Sequence, residues 1–265
     1  MSDGATALER SMRAVTAIRQ VMHAIWALSR AQLPLVEHAA SAAVVYEQWV
    51  DRIVDRVAGP PLAAPAGHVL TVVFGPERAY SSALGRRIVE ELPREGELGL
   101  VGQRMAELVE AFPEHDRRVR FRCAGSVAHD DLHEVAAEVA RNLLEHAGHA
   151  QIELLHPAEG QIELQRVVLI ASRASTLQTP PESYSPLERV LEAVTFEAMT
   201  GRLAVAAVEA LRAEIRARIA AADAARKACE ERLAELESAW HLGRRETITR
   251  ELLEIVSGRE AALLA

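Results

Sequence analysis

Two groups of residues in this sequence have types and spacings that could do chemistry. His129 and His133 stand four apart with Asp130, Asp131 and Glu134 beside them. On a helix, such a histidine pair can reach a single metal ion. Spacing fixes no third ligand, however, and acidic residues ahead of an apolar periodic run are what a helix start needs, so Asp130 and Asp131 are expected as caps and no metal site is expected. The second group is G-P-E-R-A-Y-S-S-A-L-G-R-R from Gly75 to Arg87, which follows a β-branched run and opens a helix. A phosphate loop would sit there, but the lysine and the glycine spacing are missing, so no nucleotide is expected. The chain has no G-x-S-x-G elbow and no cysteine-centred nucleophile motif. Cys123 and Cys229 lie far apart and read as reduced thiols.

The elements that would position these groups are unusual. From Leu187 onward there is no proline, and the residues are mostly Ala, Leu, Glu and Arg, all strong helix formers. Val208, Leu211, Ile215, Ile219, Ala222, Ala225, Cys229, Leu233, Leu236 and Trp240 recur three or four apart, which is the seam of a coiled coil. A helix from Leu187 to Leu264 would extend roughly 115 Å, too long for the core of an ordinary globule. The N-terminal stretch, 1–58, carries a second seam: Leu8, Met12, Val15, Met22, Ile25, Ser29, Leu33, Val36, Ala40, Val44, Glu47, Val54 and Val57. Pro34 interrupts it, but the apolar spacing resumes in phase, which predicts a kink and no helix end. Two unpaired seams at opposite ends of one chain are most economically satisfied by each other, antiparallel.

Between them, residues 68–172 change character. Strands are expected at His68–Phe74, Glu97–Val101, Arg118–Cys123, Ile152–Leu155 and Ile162–Ile170, the last two paired as a hairpin across Pro157–Gly160. Helices are expected at Ser81–Leu92, Gln103–Ala111 and Leu132–Leu144. This alternation predicts a small α/β layer domain with a mostly parallel sheet. Linkers at Gly59–Gly67 and Ser175–Pro186 join it to the helices.

Composition agrees. Of 265 residues 49% are apolar, 26% charged and only 4% aromatic, a balance that suits closely packed helices. The net charge of −8 argues against a nucleic-acid partner. The sequence has no apolar run long enough to span a membrane and no signal-peptide pattern at its start, so membrane association would go through a partner.

The end of the chain resembles the gamma subunit of rotary F-type ATP synthases. That family carries R-Q-x-x-I-T-x-E-L-x-E-I-V-S-G after a Y-N pair. Here Trp240-His241 is followed by Arg244-Arg245 and by I-T-R-E-L-L-E-I-V-S-G from Ile248. Upstream, Glu214, Arg218, Ala221, Asp223, Ala225 and Lys227 match E-x-x-x-R-x-x-A-M-x-A-A without a gap, and Val15, Ala24 and Tyr46 are retained near the N-terminus. There are departures. The family's T-K-A-M reads Met22-His23-Ala24-Ile25, its S-D-R-G-L-C-G-G reads Pro76 to Ala83, and the glutamine of R-Q is Arg245. Val72-Val73-Phe74-Gly75 leans toward the alternate, ion-pumping branch, whose members share V-V-F-G.

The resemblance implies an antiparallel coiled coil of the two long helices with an inserted Rossmann-like α/β domain, serving as the central shaft of a proton- or sodium-translocating complex. The implied partners are the catalytic and non-catalytic subunits of an alpha/beta hexamer, an epsilon-type stalk subunit and the membrane rotor ring. The implied place is the cytoplasmic face of the plasma membrane, held through the complex. No catalysis, cofactor or metal of its own is implied. Carried over residue by residue, Arg244, Arg245, Thr249, Glu251 and His23 become polar contacts to the ring, and Met22, Ile25, Ile248, Leu252, Ile255 and Val256 become bearing or seam positions. Two other readings stay open: a free-standing coiled-coil adaptor, and a small-molecule enzyme built on the α/β insert.

Overall fold

A computed structural model of the protein describes residues 3–58, 68–146, 151–157, 164–168 and 184–263. The expected linker at Gly59–Gly67, the turn from Ala158 to Gly160 and most of the second linker lie outside these residues. Two long helices, α1 (Asp3–Ala58) and α6 (Leu187–Leu263), bracket everything else. The chain divides into two compact units, one of residues 1–28 with 219–265 and one of residues 29–218.

In the smaller unit the start of α1 is grouped with the end of α6, as an antiparallel pair requires. Met22, Ala222, Leu233 and Leu236 are buried there, and Leu8, Met12, Val15, Ile25, Ala225 and Cys229 are half-buried. These are seam positions, so the 3.6-residue period translated directly into burial.

In the larger unit the same pairing is fixed by polar contacts: Arg202 Nη2 lies 3.1 Å from Asp51 Oδ1, and Arg216 Nη2 lies 3.1 Å from Glu37 Oε1. In each pair the α1 number falls as the α6 number rises, the mark of antiparallel helices. The Tyr46 ring lies against Gly201, at ordinary contact distance from where a Cβ would stand. The α1 helix continues through Pro34 without ending. One seam position was misplaced: Val44 is exposed, whereas Ala43 is half-buried and Val50 is 2% exposed. The buried row runs Val36, Ala40, Ala43, Glu47, Val50, Val54, a regular alternation of four and three that makes room for Ala43 and Val50 and none for Val44.

The α/β body of this unit holds one five-stranded sheet. Its strands are β1 (Val69–Phe74), β2 (Glu97–Val101), β3 (Val119–Cys123), β4 (Gln151–Pro157) and β5 (Leu164–Val168), in the order β3-β2-β1-β4-β5. The first four are mutually parallel, and β5 is antiparallel to β4, with Glu153 opposite Val168 and Pro157 opposite Leu164. The hairpin is therefore present with a longer β4 than the apolar run Ile152–Leu155 marks. His156 and Pro157 pair only with β5, while β1 pairs only as far as Leu155.

The helices are α2 (Ser82–Glu90), α3 (Gln103–Glu110), the short α4 (Pro113–Asp116) and α5 (Leu132–His146). Four residues are too few to show a period, which is why α4 was not anticipated. Right-handed crossovers put α2 and α3 on one face and send α5, which connects β3 back across to β4, to the other. Val73, Leu98, Leu100 and Leu155 accordingly join Leu84, Ile88, Met105 and Val109 in one core, against which Ala213 and Ala217 of α6 also pack. On the other face Gly99 is required: a Cβ there would stand 2.3 Å from the ring of Phe121.

Candidate functional site

Three places carry the residues on which a function would rest. The first is the end of α6. From His241 to Ser257 every side chain is exposed, although the helix continues unbroken. Ile248 is 47% exposed, Leu252 57%, Ile255 68% and Val256 56%. Arg244 places its guanidinium 5.3 Å from the centroid of the Trp240 ring, a cation–π contact. Thr249 donates from Oγ1 to the Arg245 carbonyl at 2.9 Å, which pins its hydroxyl along the helix. Arg245 and Glu251 are exposed.

The second place is on α1. Met22 is buried and Ile25 half-buried, while His23 between them faces outward and stacks on Trp26 with centroids 5.9 Å apart. An apolar flank and a solvent-facing polar group follow from the helical period alone.

The third place joins two stretches that the sequence offered separately, Gly75 to Arg87 and the family stretch that begins at Glu214. In an open sheet of this winding, anions bind beyond the carboxyl ends of the strands where the strand order reverses, here between β1 and β4. Backbone N–H groups converge instead to one side of that point, beyond the ends of β1, β2 and β3, and carboxylates of the chain itself receive them. Glu214 of α6 accepts from the Glu77 N–H at 2.7 Å and from the Arg78 N–H at 3.2 Å. Glu77 in turn accepts from the Gln103 N–H and the Gly125 N–H, both at 2.7 Å. Glu214 is 2% exposed, and burial is the main influence raising its carboxyl above the usual range, opposed by the Glu77 N–H, by Arg218 and by the Arg78 N–H. Arg218 lies 3.8 Å from Glu214 Oε1, and burial lowers its guanidinium from the ordinary value.

His129 and His133 are both exposed, and His129 precedes α5, so the two do not share a helix; no group of three potential metal ligands occurs among the described residues. Asp131 precedes α5 as expected of a cap, but its Oδ2 accepts from the Val127 and Ala128 N–H groups at 2.9 and 3.3 Å, so it fastens the preceding turn instead of the helix's own first amides. Cys123 is buried, with its thiol pushed up to about 11 chiefly by that burial.

The sequence matches, over residues 5–262, the model of the family described as ATP synthase. The chain belongs to the ATP synthase gamma family. It is accordingly a central-stalk, non-catalytic subunit of that complex. No curated protein sequence matches it.

Solved structures are similar in fold. A chain of the Euglena gracilis mitochondrial ATP synthase rotor is 12% identical with a TM-score of 0.63, covering 92% of this chain and 99% of its own. A chain from that organism's OSCP/F1/c-ring assembly is 14% identical with a TM-score of 0.64, covering 97% and 94%. One from the Tetrahymena thermophila central stalk and c-ring is 16% identical with a TM-score of 0.58, covering 77% and 99%. None of the described helices is long and apolar enough to cross a membrane.

Proposed function

We propose that this subunit turns inside an alpha/beta hexamer and passes torque to a membrane rotor ring that carries protons or sodium ions, with an epsilon-type subunit beside it in the stalk. The solved neighbours come from rotor, stalk and ring assemblies, which supports the same partners here. The proposed location is the cytoplasmic face of the plasma membrane. In this reading residues 1–58 and 186–265 are the shaft and residues 68–172 the eccentric body.

The observation that carries the reading is the end of α6. A helix whose apolar side chains Ile248, Leu252, Ile255 and Val256 all face outward is built to be enclosed by something else. Those four would run in the apolar bearing of the hexamer, with Met22 and Ile25 packing the coil below. Arg244, Arg245, Thr249, Glu251 and His23 would meet polar loops of the ring. Rotation then biases each catalytic site among its states by differential contact, which is how a subunit without chemistry changes a neighbour's affinity.

The test is the double variant Arg244→Ala with Glu251→Ala in the assembled complex. ATP-driven rotation should weaken several-fold while the isolated subunit keeps its helical content. Rotation and turnover equal to the parent's would reject the contacts.

A further inference from the structure

We infer that Glu214 is the joint through which α6 drives the α/β body, its carboxylate filling the anion nest that the two amides beyond β1 would otherwise offer a ligand. This rests on the central-stalk role and adds to it a positioning residue far from the catalytic partners.

The geometry supplies each part. Glu214 projects from the helix that turns, and its two oxygens receive the consecutive amides of Glu77 and Arg78 at 2.7 and 3.2 Å. Successive N–H groups beyond a strand end form a concavity suited to one anion. Glu77 passes the connection onward, receiving the first amide of α3 and the amide of Gly125 beyond β3. Two carboxylates therefore link α6 to the segments following β1, β2 and β3. The apolar contacts of Ala213 and Ala217 on the same stretch of α6 hold the body radially but give no directional grip. Hydrogen bonds to a buried anion do give it, because they weaken steeply with angle as well as distance.

The experiment uses the assembled complex in sealed vesicles, with Glu214→Gln, Glu214→Asp and Glu214→Ala. Replacing Glu214 by alanine removes a CH2–COO⁻ fragment, which is acetate. Ion pumping per ATP hydrolysed should fall severalfold in Glu214→Ala and less in Glu214→Gln, while ATP hydrolysis persists. Acetate should restore pumping in Glu214→Ala and leave the parent unchanged, and Glu214→Asp should retain more coupling than Glu214→Ala. In Glu214→Gln, which keeps the side-chain shape, amide hydrogen exchange at Glu77 and Arg78 should accelerate about tenfold. An unchanged ratio of ions to ATP in Glu214→Ala, or lost coupling that acetate fails to restore, overturns the joint. Failure of the parent chain to co-purify with a hexameric ATPase ring would instead reject the central-stalk role, so the two failures are distinguishable.

Discussion

The Tyr46 hydroxyl donates a hydrogen bond to Glu197 Oε1, linking α1 to the first turns of α6. Burial raises the phenol to about 12, with the Glu197 hydrogen bond and its charge adding to the effect.

One expectation concerns alkaline titration. A phenol raised from 10 to about 12 keeps its proton in the folded chain after the unfolded chain has lost it. The stability it contributes is complete below pH 10 and lost as pH rises through about 12. Phenolate absorbance should show a late step near pH 12 from Tyr46. Tyr46→Phe should remove that late step and cost about 1 kcal/mol near neutrality in a urea melt. Persistence of the late step in the variant would assign it elsewhere.

Acid should act through His156. It lies on β4, is 4% exposed, and donates from Nδ1 to the Pro157 carbonyl at 2.9 Å. Burial lowers its pKa below 6.5, with the carbonyl contact opposing. A depressed histidine contributes stability that is present above the unfolded value and lost as pH falls through the folded one. The urea midpoint should therefore drop as pH falls below 6.5, and His156→Gln should flatten that slope. An equal drop in the variant would place the titrating group outside β4.

Tyr80 stores backbone strain. Its φ is 69°, the left-handed region, and it is the non-glycine residue found there among the described residues. Its ring is 49% exposed, so little packing would be lost with it. Tyr80→Gly should raise stability by about 1 kcal/mol, since glycine adopts this conformation freely. A lower melting temperature would mean that the exposed ring has a structural partner.

The sequence made the long helices legible because their seams repeat. Met22, Val36, Ala40, Val208, Leu211, Leu233 and Leu236 are all buried as the spacing required. The parallel sheet was legible from the alternation of β-branched runs with helical ones. Val44 failed because its larger apolar side chain outweighed the four-three alternation running from Val36 and Ala40, which selects Ala43. The role of Glu214 was hidden for a different reason. Its residue type and spacing match the family stretch, but the amide it holds belongs to Glu77, 137 residues away. No local pattern announces a backbone partner at that distance. Glu197 was equally silent, since nothing near it names Tyr46.

The outward apolar row at the end of α6 has a cost for the cell that makes this chain. Released from the ribosome alone, it presents Ile248, Leu252, Leu253, Ile255 and Val256 to water, a surface on which identical copies and chaperones compete. Supply must then be matched to that of the enclosing subunits, because surplus chains would clump or be degraded.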